Sequence, residues 1–136
     1  MKFVNKQLAL KLKEKGFDRP CFGFYNPIQD ELQLYCANNK DVTYKNILTS
    51  VYKNKVLVDA PTIEQVLKWL REEKDIDIVI YPIDRNTIYM GGEKYILSIY
   101  FCGKRDYKIH KDNNDKFVKW EDACISGIEY VINNLI

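Results

Sequence analysis

Apolar and polar positions repeat along this chain with two different periods, and each switch between them marks an element. Val4, Leu8 and Leu12 recur four residues apart, the spacing that stacks side chains on one helical face, so the pattern predicts a helix over about 5–16. Asn5 stands where an N-cap belongs and Gly16 where the chain turns left-handed after a helix. Phe17 is placed to close back on the last turn, and Pro20 forbids continuation. Cys21 to Tyr25 and Leu32 to Cys36 then flank the turn-forming stretch Asn26 to Glu31, which predicts a hairpin. A symmetric register sets Cys21 opposite Cys36, Gly23 opposite Leu34 and Tyr25 opposite Leu32 on one face. Phe22, Phe24, Gln33 and Tyr35 fall on the other.

Asn38 to Tyr52 mixes both periods and reads as irregular, and Lys55 to Val58 reads as a short extended piece. A second helix, about 62–74, follows. Thr62 and Gln65 form a capping-box pair, and Ile63, Val66, Leu67 and Leu70 share a face with Trp69 on its border. Glu64 in the first turn and Lys74 in the last agree with the helix dipole. Asp75 to Asp84 returns to alternation, with Ile76, Ile78 and Ile80 facing one way and Asp77, Val79 and Tyr81 the other. Pro82 marks the end of that strand or an edge. Thr87 to Met90 and Lys94 to Cys102 predict further strands around a Gly91-Gly92 turn, the longer one carrying Tyr95, Leu97, Ile99 and Phe101 on one face; Asp106 to His110 predicts a short one. A third helix, about 120–135, begins at Trp120 or Glu121 and buries Cys124, Ile128, Val131 and Leu135. Gly127 inside it costs about 1 kcal/mol against alanine unless close packing offsets the loss. This order predicts an α+β fold: an antiparallel sheet of hairpins and a meander, covered on one face by three helices, in a single compact domain spanning 1–136.

Composition supports a packed core, since 46% of the 136 residues are hydrophobic and 13% of the chain is aromatic. Lysine, isoleucine, asparagine and tyrosine fill 53 positions, a mix that A/T-rich codons produce without any functional cause. The net charge of +2 announces neither a nucleic-acid nor a membrane partner. Its distribution says more. Residues 1–20 carry six positive and two negative side chains and residues 101–120 six and three, whereas residues 59–84 carry three and seven. The second basic segment interleaves Lys104, Arg105, Lys108, Lys111, Lys116 and Lys119 with Tyr107, Phe117 and Trp120, the pattern of a nucleic-acid backbone binder.

The residue types that carry chemistry form no recognisable device. His110, the only histidine, stands among Lys108, Lys111 and Asp112 without a nucleophile elbow near Ser98, Ser126 or Cys102, and reads as a surface side chain. Glu72 and Glu73 point about 100° apart on their helix and read, with Asp75 and Asp77, as a solvated helix end. The Asp112 to Asp115 tract lacks the ligand spacing of a calcium loop, and Gly91-Gly92 lacks the context of a phosphate loop. Cys21, Cys36, Cys102 and Cys124 show no C-x-x-C spacing and read as reduced thiols. With neither a signal-peptide stretch nor an 18-residue apolar run, the expected setting is cytoplasmic. No catalytic residue, metal or cofactor is expected.

One block resembles a known family. Ala60-Pro61-Thr62-Ile63-Glu64-Gln65-Val66-Leu67-Lys68-Trp69-Leu70-Arg71-Glu72-Glu73 is preceded by Leu12-Lys13-Glu14-Lys15-Gly16-Phe17. Trp120-Glu121-Asp122-Ala123 follows, leading through Gly127-Ile128 to a closing Leu135-Ile136. This run resembles small uncharacterised proteins encoded by phages and mobile elements of gut anaerobic bacteria. The chain departs from that pattern at Cys124 and over 38–58 and 103–118. The resemblance implies no activity; Thr62, Gln65, Trp69, Leu70, Trp120 and Gly127 read as structural. The leading expectation is a non-enzymatic protein that binds another macromolecule, most plausibly a host or phage protein. The alternative is a nucleic-acid-binding module built on residues 1–20 and 101–120, with Lys104, Arg105, Tyr107, Lys108, Lys111, Lys116 and Lys119 as its contacts.

Overall fold

A computed structural model describes residues 2–35, 57–83, 94–102 and 116–136. The fold is α+β, and the chain divides into two compact units, Met1–Thr62 and Ile63–Ile136.

In the first unit, helix α1 spans Lys6–Glu14 and buries Leu8, Ala9 and Leu12. Its ends follow the local sequence. The Asn5 side chain accepts from the Leu8 amide at 2.8 Å. At the other end Gly16 takes φ +90°, the Gly16 amide donates to the Lys13 carbonyl at 3.1 Å and the Phe17 amide to the Leu12 carbonyl at 2.9 Å. Those two bonds form a Schellman cap and satisfy carbonyls that the helix leaves open. Strands β1 (Gly23–Tyr25), β2 (Leu32–Leu34) and β3 (Val58–Ala60) form an antiparallel sheet in the order β2-β1-β3. The hairpin register is the expected one, Gly23 opposite Leu34 and Tyr25 opposite Leu32, while β3 sets Ala60 opposite Gly23 and Val58 opposite Tyr25. A Cβ on Gly23 would stand 3.1 Å from the Gln33 carbonyl and 3.2 Å from the Phe3 ring, so the close approach over β1 favours glycine. The Tyr25 hydroxyl donates to the Val4 carbonyl, and the Val4 amide donates to the Pro61 carbonyl at 3.0 Å. On the opposite face Phe24, Tyr35 and Leu57 form a buried cluster, with the Phe24 and Tyr35 rings 4.9 Å apart.

In the second unit, helix α2 spans Ile63–Lys74 and buries Ile63, Val66, Trp69 and Leu70. The Lys74 ammonium lies 5.4 Å from the Trp69 ring centroid, a cation–π contact. One residue, Asp75 at φ +54°, separates α2 from strand β4, Ile76–Pro82. Strand β5 (Tyr95–Phe101) pairs with all of β4, and β6 (Lys116–Phe117) pairs with Tyr95 and Ile96, giving an antiparallel sheet in the order β4-β5-β6. Helix α3, Trp120–Asn134, packs on the face carrying Ile78 and Leu97. An added Cβ at Gly127 would stand 2.9 Å from side-chain carbons of both, so here the helix glycine is offset by a close approach to the sheet.

Several expectations change. Instead of one sheet covered by three helices, the described residues form two three-stranded sheets, with α1 in the first unit and α2 and α3 in the second. The cause is pairing at a distance: β1 is hydrogen-bonded on both sides, by β2 and by β3, and so stands at the centre of its own sheet. Of the extended piece expected at Lys55–Val58, residues 55 and 56 lie outside the described residues, and Val58 opens a strand, Val58–Ala60, in register with β1. Leu135 is half-buried beyond the last turn of α3, and Ala123, Gly127 and Ile132 join Cys124, Ile128 and Val131 in the buried stripe. The expected elements at 38–52, 87–90 and 106–110, the Gly91-Gly92 turn, His110, the Asp112–Asp115 tract and Cys36 lie outside the described residues.

Candidate interaction surfaces

The first surface is the β1–β2 hairpin, whose turn is built around Asn26. Its buried side-chain oxygen accepts from the amides of Ile28 (2.8 Å) and Gln29 (3.2 Å), the local bonding that lets asparagine open a turn. The Asp30 amide donates to the Asn26 carbonyl at 2.9 Å, and the Asn26 amide to the Glu31 carbonyl at 2.8 Å. Asp30 takes φ +57°, which stops the strand conformation there, and its carboxylate pairs with the Lys6 ammonium. At the other end of the hairpin the Tyr35 amide donates to the Phe22 carbonyl at 2.9 Å.

These bonds fix which way the backbone of β2 points. Asn26/Glu31 and Phe22/Tyr35 are hydrogen-bonded pairs, and in an antiparallel ladder such pairs alternate with unbonded ones. Gln33 therefore bonds to β1, while the amides and carbonyls of Leu32 and Leu34 point away from it, along the outer edge of the sheet. Their side chains are open too: Leu32 is 40% and Leu34 62% exposed, and Phe22 (54%) and Ile28 (62%) stand exposed in the same hairpin. The cover that Phe3, Val4 and the Tyr25 hydroxyl give the β1 part of the sheet does not extend to β2. Burial raises the pKa of the Tyr25 hydroxyl, which keeps it a proton donor to Val4. On the other face the Tyr35 hydroxyl donates to an Asp59 carboxylate oxygen at 2.6 Å, giving that buried ring a polar partner.

The second surface is what the described residues retain of the basic segment. Lys116 in β6 and Lys119 before α3 are exposed, as is Val118 between them; Phe117 and Trp120 are half-buried. Lys104, Arg105, Tyr107, Lys108 and Lys111 lie outside the described residues. The residues read as structural are placed as follows. Thr62 is buried immediately before α2, Gln65 is half-buried in its first turn, and Trp69 and Leu70 are buried.

Asp77 is buried and accepts at one carboxylate oxygen from Arg71 Nη2 (2.9 Å) and Nε (3.2 Å), holding α2 to β4. Cys21, Cys102 and Cys124 are thiols. The Cys124 pKa is pushed up to about 12, first by burial and then by the charges of Glu64 and Glu121, so it is no nucleophile at neutral pH. Among the described residues no three His, Cys, Asp or Glu side chains gather as a metal site, and no helix is long and apolar enough to cross a membrane.

Sequence reasoning placed Leu32 and Leu34 on a common face but missed that their strand is an edge. The signal would have been the partner of β3, which is set by contacts more than twenty residues away. The chain matches no family model, no curated protein and no solved structure.

Proposed function

We propose that this chain is a non-enzymatic cytoplasmic protein that acts by binding another protein, in the manner expected of the phage and mobile-element family it resembles. The observation that carries the reading is the concentration of exposed apolar side chains in one hairpin: Phe22, Ile28, Leu32 and Leu34. Single exposed apolar residues are ordinary, whereas contiguous exposed apolar surface marks interaction sites, and Leu32 and Leu34 stand side by side on one face of an edge strand. Affinity capture from host lysate, at about 1 μM chain and with and without nuclease, tests it by comparing the natural chain with Leu34→Lys. Capture that survives nuclease and drops at least tenfold with Leu34→Lys is expected, since a buried unpaired charge costs more than the 1.4 kcal/mol that tenfold represents. Capture that Leu34→Lys leaves intact overturns it.

The alternative, nucleic-acid binding, is favoured by the exposure of Lys116 and Lys119 beside Phe117 and Trp120. It requires capture that nuclease abolishes, and a salt-dependent shift of labelled single-stranded DNA or RNA.

A further inference from the structure

We propose that β2 pairs antiparallel with β2 of a second copy of this chain, joining two three-stranded sheets into one of six. This rests on the reading of the hairpin as a protein-binding surface and names an occupant for it. Leu32 and Leu34 present amides and carbonyls outward, and a two-fold axis through Gln33 sets Leu32 opposite the partner's Leu34 and Leu34 opposite the partner's Leu32. Both become bonded pairs of an antiparallel ladder, so the two outward pairs of each copy are matched by the same two of the other.

The turn restricts the register. Sliding the copies one step towards the turn would need Asp30 as a strand residue, and its left-handed backbone excludes that. Pairing about Gln33 uses Glu31 to Tyr35 alone. Charge agrees with this pairing. Antiparallel pairing sends the two acidic ends apart: Glu31 falls opposite the partner's Tyr35, and Asp30 is already matched by Lys6, so no like charges meet. A parallel arrangement would stack the carboxylates. The side chains match as well, since each exposed leucine meets an exposed leucine on the same face. Nor does any lysine or proline within β2 guard the edge, the usual defence against such pairing.

The strand is short, and its edge is small beside the roughly 800 Å² per partner of a stable interface, so the dimer is weak, with a dissociation constant between about 10 μM and 1 mM. Sedimentation velocity on the full chain over that range is expected to show the mass rising from 16.1 kDa towards twice that value. Leu34→Lys should weaken the association at least tenfold. Leu10→Lys, at a leucine on α1 as exposed as Leu32, should leave it unchanged. Hydrogen exchange supplies a readout specific to the backbone pairing: protection of the Leu32 and Leu34 amides should rise with concentration, while that of Gln33, already bonded to β1, should not. A chain that stays monomeric throughout, or a dimer indifferent to Leu34→Lys, overturns the proposal. Capture at about 1 μM, below the dimer range, is read separately. A monomer whose captured partner is lost with Leu34→Lys would keep the protein-binding reading and make the occupant of the edge another protein.

Discussion

Among the described residues both sheets hold three antiparallel strands, yet they end in opposite ways. The sheet of the second unit is built on two seven-residue strands, β4 and β5, and α3 lies close enough to one face that only glycine fits comfortably at 127. Its β4 edge carries Pro82. The bonded pairs Ile83/Lys94 and Asp75/Cys102 direct odd-numbered residues towards β5, so Pro82 falls on the outward side, where a missing amide costs no ladder bond and blunts the edge. The sheet of the first unit is built on three-residue strands, and its β2 edge has no such guard. Packing a helix on one face of the second sheet and blunting its β4 edge, while β2 stays open, teaches that exposure here follows the placement of cover and not the hydrophobicity of the strands. Leu34 is as apolar as Leu97, yet 62% of the first and none of the second is exposed.

The contrast is tested most severely in the packed core of the second unit. Trp69→Ala removes the largest fully buried side chain and should cost about 3–5 kcal/mol, read as a large fall in Tm; an unchanged Tm would remove Trp69 from the core. Gly127→Val should cost about 1–3 kcal/mol in chemical denaturation, because its methyls enter space held by Ile78 and Leu97. In the first unit the effects shrink. Asn5→Ala should cost about 1 kcal/mol through loss of the α1 cap. Leu34→Lys should move stability by no more than about 0.5 kcal/mol, as expected of an exposed position; a larger loss would mean that β2 is covered after all.

At neutral pH the smallest effect belongs to Cys124. Its folded pKa of about 12 lies above the ordinary 9.0, so below about 9 the thiol is protonated in both states and contributes no pH dependence. As pH climbs from about 9 towards 12 the unfolded chain loses that proton first, and stability falls. Cys124→Ala should flatten that part of the stability–pH curve, and an unchanged slope would mean that the thiol is less enclosed than its surroundings imply.

What the sequence made legible was local. Asn5, Gly16 and Phe17 sit within one turn of the groups they cap, and the hairpin register follows from a six-residue turn; both are observed as read. The alternation of β4 was legible for the same reason, since period two needs no knowledge of a partner. The division into two sheets was not, because it depends on β3 returning to β1 from more than thirty residues away. Strand β6 was missed because two residues carry no period. The open edge was half legible: parity put Leu32 and Leu34 together, but which side of β1 receives β3 decides that they remain uncovered.

The single residue between α2 and β4 has a consequence for how this chain can vary. Asp75 makes the whole connection, with a backbone that asparagine or glycine would also tolerate and a β-branched residue would resist. Adding or removing one residue there would exchange the two faces of β4, turning Asp77 and Tyr81 towards α3 and the isoleucines away from it. It would also break the Arg71–Asp77 clamp, whose two members are six positions apart across the junction. Divergent descendants of this sequence should therefore keep the number of residues between Trp69 and Ile80 constant, and a gap inside that span would be the mark of a different fold.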